Sequence, residues 1–226
     1  MLRTLSTLLG YGLALEDGAE GTVADFLFDE DMWVVRYLDI EVGKWFSERT
    51  VVLPVQAVTN ICDSERQLAV SATTDGLRNS PDVSTKKPVS RESELLLAKY
   101  WQWVPYWQDG PMSYHIRNIM ETEADPGSRA EVEKATKSHL RSVKEVLGYE
   151  VHATDGKIGH VKDLLIDGED WSCYHVVIET GNWLPGKKIM LNRSLIGNVS
   201  WAEKAFDVET TRAQIEQAPP FEEPEV

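Results

Sequence analysis

The chain of 226 residues is short of cysteine, of positive charge and of long apolar runs. Each shortage closes off a class of protein. Cys62 and Cys173 lie far apart without CxxC spacing, so neither a disulfide framework nor a thiolate metal site is expected. Both sit in strand-like runs and read as small buried apolar residues. With 23 Lys and Arg against 37 Asp and Glu, the formal net charge is −14. Nucleic acid phosphates and anionic membrane faces both demand clustered Lys and Arg, so both are disfavoured as partners. The acidity itself reads as a means to solubility. The opening stretch MLRTLSTLLGYGLALEDG is apolar only briefly and is broken by glycines. It is too short to span a bilayer and lacks a small-residue cleavage site. A soluble, cytoplasmic protein is therefore expected. No GxSxG elbow, phosphate-binding loop, Rossmann glycine pattern or HExxH motif occurs. The sequence nominates no catalytic residue, no cofactor and no metal ligand, and a non-enzymatic protein is expected.

What the chain does contain is itself, twice. Offset by 138 positions, Leu9-Gly10-Tyr11 falls on Leu147-Gly148-Tyr149 and Asp17-Gly18 on Asp155-Gly156. Gly21, Val23, Asp25, Leu27 and Asp29 fall on Gly159, Val161, Asp163, Leu165 and Asp167, and Trp33 on Trp171. The match continues past Trp45 and Trp183 to Pro81 and Pro219. About twenty identities accumulate over some seventy positions, where ordinary residue frequencies give about four or five. A repeat of this length is a duplicated small domain and not a solenoid unit.

Within each copy the pattern is β. Asp17-Gly18 and Asp155-Gly156 are hairpin dipeptides between short, partly alternating runs. YHVVIET is a continuous β-branched run, and about six short strands are expected per copy. A short helix closes each copy, from Thr73 through Leu77 and from Thr211 through Ile215, before Pro81 and Pro219. Six strands in so few residues suit a small closed or nearly closed barrel. A domain of that size buries only about 60–65% of its unfolded surface, so packing two copies together, or dimerising, adds burial that one copy lacks.

The segment between the copies differs in composition. Ser90 opens RESELLLAKYW as a helix, and the prolines of WQWVPYW end it. Ser128-Arg129-Ala130-Glu131 has the form of a capping box, predicting a second helix to about His139. Ser142-Val143-Lys144-Glu145 repeats that signature ahead of Gly148. The expected organisation is a first barrel over 1–81, a helical connector over 82–141, a second barrel over 142–219 and a tail over 220–226.

The spacing Gly-Tyr, five residues, Asp-Gly, two residues, Gly, then Val-x-Asp-x-Leu-x-Asp resembles the PRC-barrel family. That family is named for the cytoplasmic domain of the photosynthetic reaction centre H subunit and includes the C-terminal domain of the ribosome maturation factor RimM. The second copy carries the fuller likeness, with SVKEVLGYEVHATDGKIGHVKDLLIDGEDW and NWLPGKKIML. In the first copy FSERTVVL replaces LPGKKIML. The resemblance implies a mainly β protein: two tandem small PRC-type barrels joined by an aromatic-rich helical connector. It further implies an adaptor or scaffold that binds another protein, and a homodimer is expected. Two alternatives stay open: a peripheral component of photosynthetic electron transfer, and a metal- or small-molecule-binding protein with its site between the barrels.

Three groups of side chains are candidates for function. Asp25, Asp29, Asp163 and Asp167 are spaced to share one strand face, but without a calcium-loop glycine they read as solvated acids and turn caps. His152, His160 and His175 cluster in the second copy, where His160 is expected to face His152 across a hairpin. Their counterparts Ala14, Thr22 and Tyr37 show that the repeat does not require them. The connector aromatics Tyr100, Trp101, Trp103, Tyr106 and Trp107 are costly to expose. Together with Trp45 and Trp183 they are the interface candidates, either capping the barrels within the chain or meeting a partner. Too few basic residues flank them for a nucleic acid stacking platform.

Overall fold

The computed structural model describes residues 1–42, 50–83, 89–106, 140–181, 186–218 and 220–223. The first repeat begins with β1 (Leu2–Thr4) and the single turn α1 (Leu5–Leu8). It continues through β2 (Gly12–Leu15), β3 (Gly18–Asp29), β4 (Val34–Glu41), β5 (Thr50–Pro54), β6 (Val58–Cys62) and β7 (Gln67–Val70) to α2 (Thr74–Asn79). The connector supplies α3 (Arg91–Trp101). The second repeat runs through β8 (Leu140–Ser142), α4 (Val143–Val146), β9 (Glu150–Ala153), β10 (Gly156–Asp167), β11 (Cys173–Thr180), β12 (Lys188–Asn192), β13 (Ile196–Ser200), β14 (Ala205–Val208) and α5 (Arg212–Glu216). The helix expected from Ser128 lies outside the described residues, as do His115 and His139.

The helix starts follow their sequence signals. Ser90 Oγ accepts from the Ser93 N–H, Thr73 Oγ1 from Gly76 and Ser142 Oγ from Glu145. Thr211 and Gln214 form a reciprocal capping box at α5. The glycine of each Asp-Gly-x-x-Gly motif is needed for close approach of strands. A Cβ on Gly159 would lie 2.1 Å from the Glu179 carbonyl oxygen of the neighbouring strand.

The chain is mainly β, with two separate seven-stranded mixed sheets. One has the order β5-β4-β3-β2-β7-β6 and the other β12-β11-β10-β9-β14-β13. The pairs β2–β7 and β9–β14 are parallel, and the remaining neighbours are antiparallel. The closed barrel expected from sequence is not what the described residues form. Between β5 and β6, and again between β12 and β13, a three-residue 3-10 turn replaces a hairpin, and no pairing joins the two end strands. Each sheet is open along that side.

The seventh strand of each sheet comes from the other repeat. β1 lies antiparallel on β10, with Arg3 opposite Ile166, and β8 lies on β3, with Arg141 opposite Phe28. The two leaders are equivalent positions of the repeat, so the exchange is reciprocal and gives the molecule a pseudo-twofold seam. At its centre the Val35 N–H donates to the Trp171 carbonyl at 2.9 Å and the Cys173 N–H to the Trp33 carbonyl at 2.7 Å. Both tryptophans adopt positive φ, 56° and 61°, and both are buried. Their rings reach across: Trp33 meets Phe206 edge-on at 6.0 Å and Trp171 meets Phe26 at 6.1 Å. One contiguous apolar core runs through both repeats. The burial that a single copy lacks is thus supplied by the second copy in the same chain.

Candidate functional site

The repeated acids have separate tasks at the seam. Asp163 accepts from the Ser6 N–H at 3.1 Å and from the Ser6 hydroxyl, holding the leader of the first repeat on the second. Asp25 does the same in mirror, accepting from the Lys144 N–H at 3.0 Å and from the Ser142 hydroxyl. Burial pushes both carboxyls up, against the pull of these hydrogen bonds. Asp29 instead caps its own turn, accepting from Asp31 and Met32, and Asp167 accepts from Glu169. The register shifts between Leu27 and Phe28, and between Leu165 and Ile166, leave the unpaired residue on the facing strand, Arg36 of β4 and Tyr174 of β11, so β3 keeps its alternation from Asp25 to Asp29 and β10 from Asp163 to Ile166.

The histidines do not converge. His160 pairs in register with Glu150, while His152 stands opposite Lys157, so the two histidines do not face each other. A bulge between Lys157 and Gly159 shifts the register. His152 Nε2 lies 3.1 Å from Glu150 Oε2, and burial lowers the pKa of His175. Among the described residues, no three His, Cys, Asp or Glu side chains come together to hold a metal ion. Cys173 is buried, with its thiol pushed up to about 12 by desolvation, whereas Cys62 is half-exposed and not the core residue expected.

The connector forms the least ordinary surface. Helix α3 crosses the outer face of the first sheet, where Leu97 and Val89 pack with Leu27, Tyr37, Val52, Val83 and Leu140. Trp101 and Trp103 stack with centroids 5.6 Å apart, and Tyr100 meets Trp101 edge-on. The Tyr100 hydroxyl donates to the Gly76 carbonyl at 2.8 Å. All four described aromatics, Tyr100, Trp101, Trp103 and Tyr106, are half-buried against the first repeat. Trp107, Trp45 and Trp183 lie outside the described residues.

Beneath these rings sits an ion pair. Arg91 and Glu94, one helical turn apart, are 6% and 0% exposed, with Nη1 3.1 Å from Oε1. Tyr37 of β4 donates its hydroxyl to Glu94 Oε2 at 3.1 Å, and Arg91 donates to the Tyr106 hydroxyl at 2.7 Å. A second cation, Arg36, lies over the Tyr106 ring at 3.9 Å. Strand and helix are thus tied by a buried polar cluster with an aromatic lid. Next to it opens a cleft of about 130 Å³ lined by Arg36, Tyr37, Trp103, Val104 and Tyr106. Val104 is 67% exposed at its rim. A larger, more open groove of about 410 Å³ follows the seam past Arg3, Asn60 and Glu169. The cleft is the better candidate, because Arg and large aromatic side chains meet there beside exposed apolar surface. Connector aromatics were legible as candidates. Arg36, Tyr37 and the buried Glu94 were not, since one strand arginine and an ordinary i,i+3 helix pair carry no sign of burial.

Desolvation pushes the Glu94 carboxyl up to about 7, against the pull of Arg91 and of the tyrosine hydroxyls. A carboxyl raised above its ordinary value binds a proton more tightly folded than unfolded. Its contribution to stability is complete below about pH 4.5 and is lost as pH rises through about 7. Denaturant titrations between pH 5 and 8 should therefore show stability falling over this window. Glu94→Gln should flatten the curve.

No protein-family model matches the chain. No curated protein matches it either. No helix among the described residues is long and apolar enough to cross a membrane.

Proposed function

We propose that this chain is a non-enzymatic adaptor that binds another protein, built from two rolled β modules of the PRC-barrel type, and that it also self-associates as a homodimer. The observation carrying this reading is the cleft over the first repeat. There Arg91 of the buried ion pair holds Tyr106, and stacking on Trp101 holds Trp103, beside Arg36 and the exposed Val104. Rigid aromatic and arginine side chains beside apolar surface are the usual anchors of a protein interface.

The seam between the repeats is already occupied within the chain, so self-association has to use surface outside it, and the cleft rim is the proposed contact. Light scattering after size-exclusion chromatography should give a dimer that dissociates on dilution. Val104→Glu should yield a monomer with an unchanged melting temperature, because an exposed substitution costs the fold little. A monomer across the whole concentration range for the unmodified chain would remove the homodimer from the proposal.

A further inference from the structure

The outer edge of β12 carries a bridged segment of the C-terminal tail that, among the described residues, its counterpart β5 lacks. Ile189 bridges antiparallel to Pro220, and the Phe221 N–H donates to the Lys188 carbonyl at 2.8 Å. Lys188 Nζ reaches Glu223 Oε1 at 2.6 Å. Lys188 holds the Glu223 carboxyl below its usual range, and Lys162 adds to that pull. In the first repeat the equivalent residues take another course. Val83 is buried under α3, and among the described residues no bridge joins this stretch to β5. The bridged tail is therefore not a requirement of the repeat.

An open strand edge binds extended chain by main-chain hydrogen bonds, with side chains setting the preference. Here the preference is visible: an aromatic followed by carboxylates, read by lysines on a chain of net charge −14. We propose that the β12 edge is a strand-addition site for an extended acidic segment of a protein partner, and that Pro220–Glu223 is its tethered stand-in. This rests on the adaptor reading and gives its partner a chemistry. Among the described residues the stand-in is held by the Ile189–Pro220 bridge with its backbone hydrogen bond and by one exposed ion pair. A segment that pairs further along β12, toward Asn192, displaces it.

The test uses the full chain labelled with nitrogen-15 and, as probe, a synthetic peptide with the sequence of residues 219–226, PPFEEPEV. Phe221→Pro with Glu223→Lys removes the N–H donor and inverts the charge that faces Lys188, releasing the edge without touching the core. Peptide added to this variant should shift the amides of Lys188–Asn192. The unmodified chain should need about twofold more peptide, the competition a tethered tail at millimolar effective concentration exerts on a ligand of millimolar Kd. Adding Lys188→Glu to the variant should abolish the shifts. Unmoved β12 amides in the variant, or equal titration of both chains, would overturn the proposal. Neither result bears on the Val104→Glu outcome, so the strand-addition site and the homodimer stand or fall separately.

Discussion

Glu94→Ala is expected to cost the fold about 3–5 kcal/mol at pH 7, the usual result of leaving one member of a buried ion pair without the other. Arg91 is 6% exposed and would keep only the Tyr106 hydroxyl of its partners described above. Tyr37 would lose the acceptor for its buried hydroxyl. Because the unmodified chain itself gives up stability as Glu94 ionises, the gap between the two should narrow toward pH 8. The variant Arg91→Leu with Glu94→Leu and Tyr37→Phe should recover most of the loss, since apolar replacements carry no desolvation penalty and no Tyr37 hydroxyl is left without its acceptor. Urea unfolding of the three chains at pH 7 measures all of this. A loss below about 1 kcal/mol for Glu94→Ala, the range of a surface pair, would show that the pair is not buried in solution.

The second large effect is expected at the seam. Trp33 and Trp171 are 8% and 6% exposed, and truncating either to alanine should cost about 3–5 kcal/mol. Their backbone adds a finer expectation. Both residues sit at positive φ, where any residue with a Cβ is strained by roughly 1–2 kcal/mol and glycine is not. Trp33→Gly should therefore be the milder of the two truncations at that position, by about 1 kcal/mol, contrary to the ordinary ranking of alanine over glycine. Since both rings pack in one seam, the double alanine variant should depart from additivity. Thermal and denaturant melts would decide. If Trp33→Gly proves worse than Trp33→Ala, strain at the seam is not what the φ values imply.

Much of this molecule was legible in its sequence because the signals were local. The Asp-Gly turns and the caps at Thr73, Ser90, Ser142 and Thr211 each act over a few residues, and the elements they announce are present. The exchange of leaders was not legible. A strand of three residues such as Leu2–Thr4 carries no periodicity, and nothing local states which sheet it joins. The register shifts are silent for the same reason: an extra residue such as Arg36 in β4 or Tyr174 in β11 interrupts the pairing without marking the local pattern. At the candidate site, aromatic density drew attention to Trp103 and Tyr106. The cluster beneath them depended on which residues of β4 came to lie under α3, and that is decided by tertiary packing.

The reciprocal leaders also bear on how two copies of one sequence drift apart. Asp25 answers to Ser142 and Asp163 to Ser6, so a change in one half has its acceptor or donor in the other, and neither half is free to wander there. Divergence is left to the outer faces, where Tyr37 stands against His175 and Arg36 against Tyr174, and where, among the described residues, the aromatic roof lies on the first copy. One gene can thus carry a fixed hinge of twofold kinship and, on its two outward sides, a pair of unlike tools.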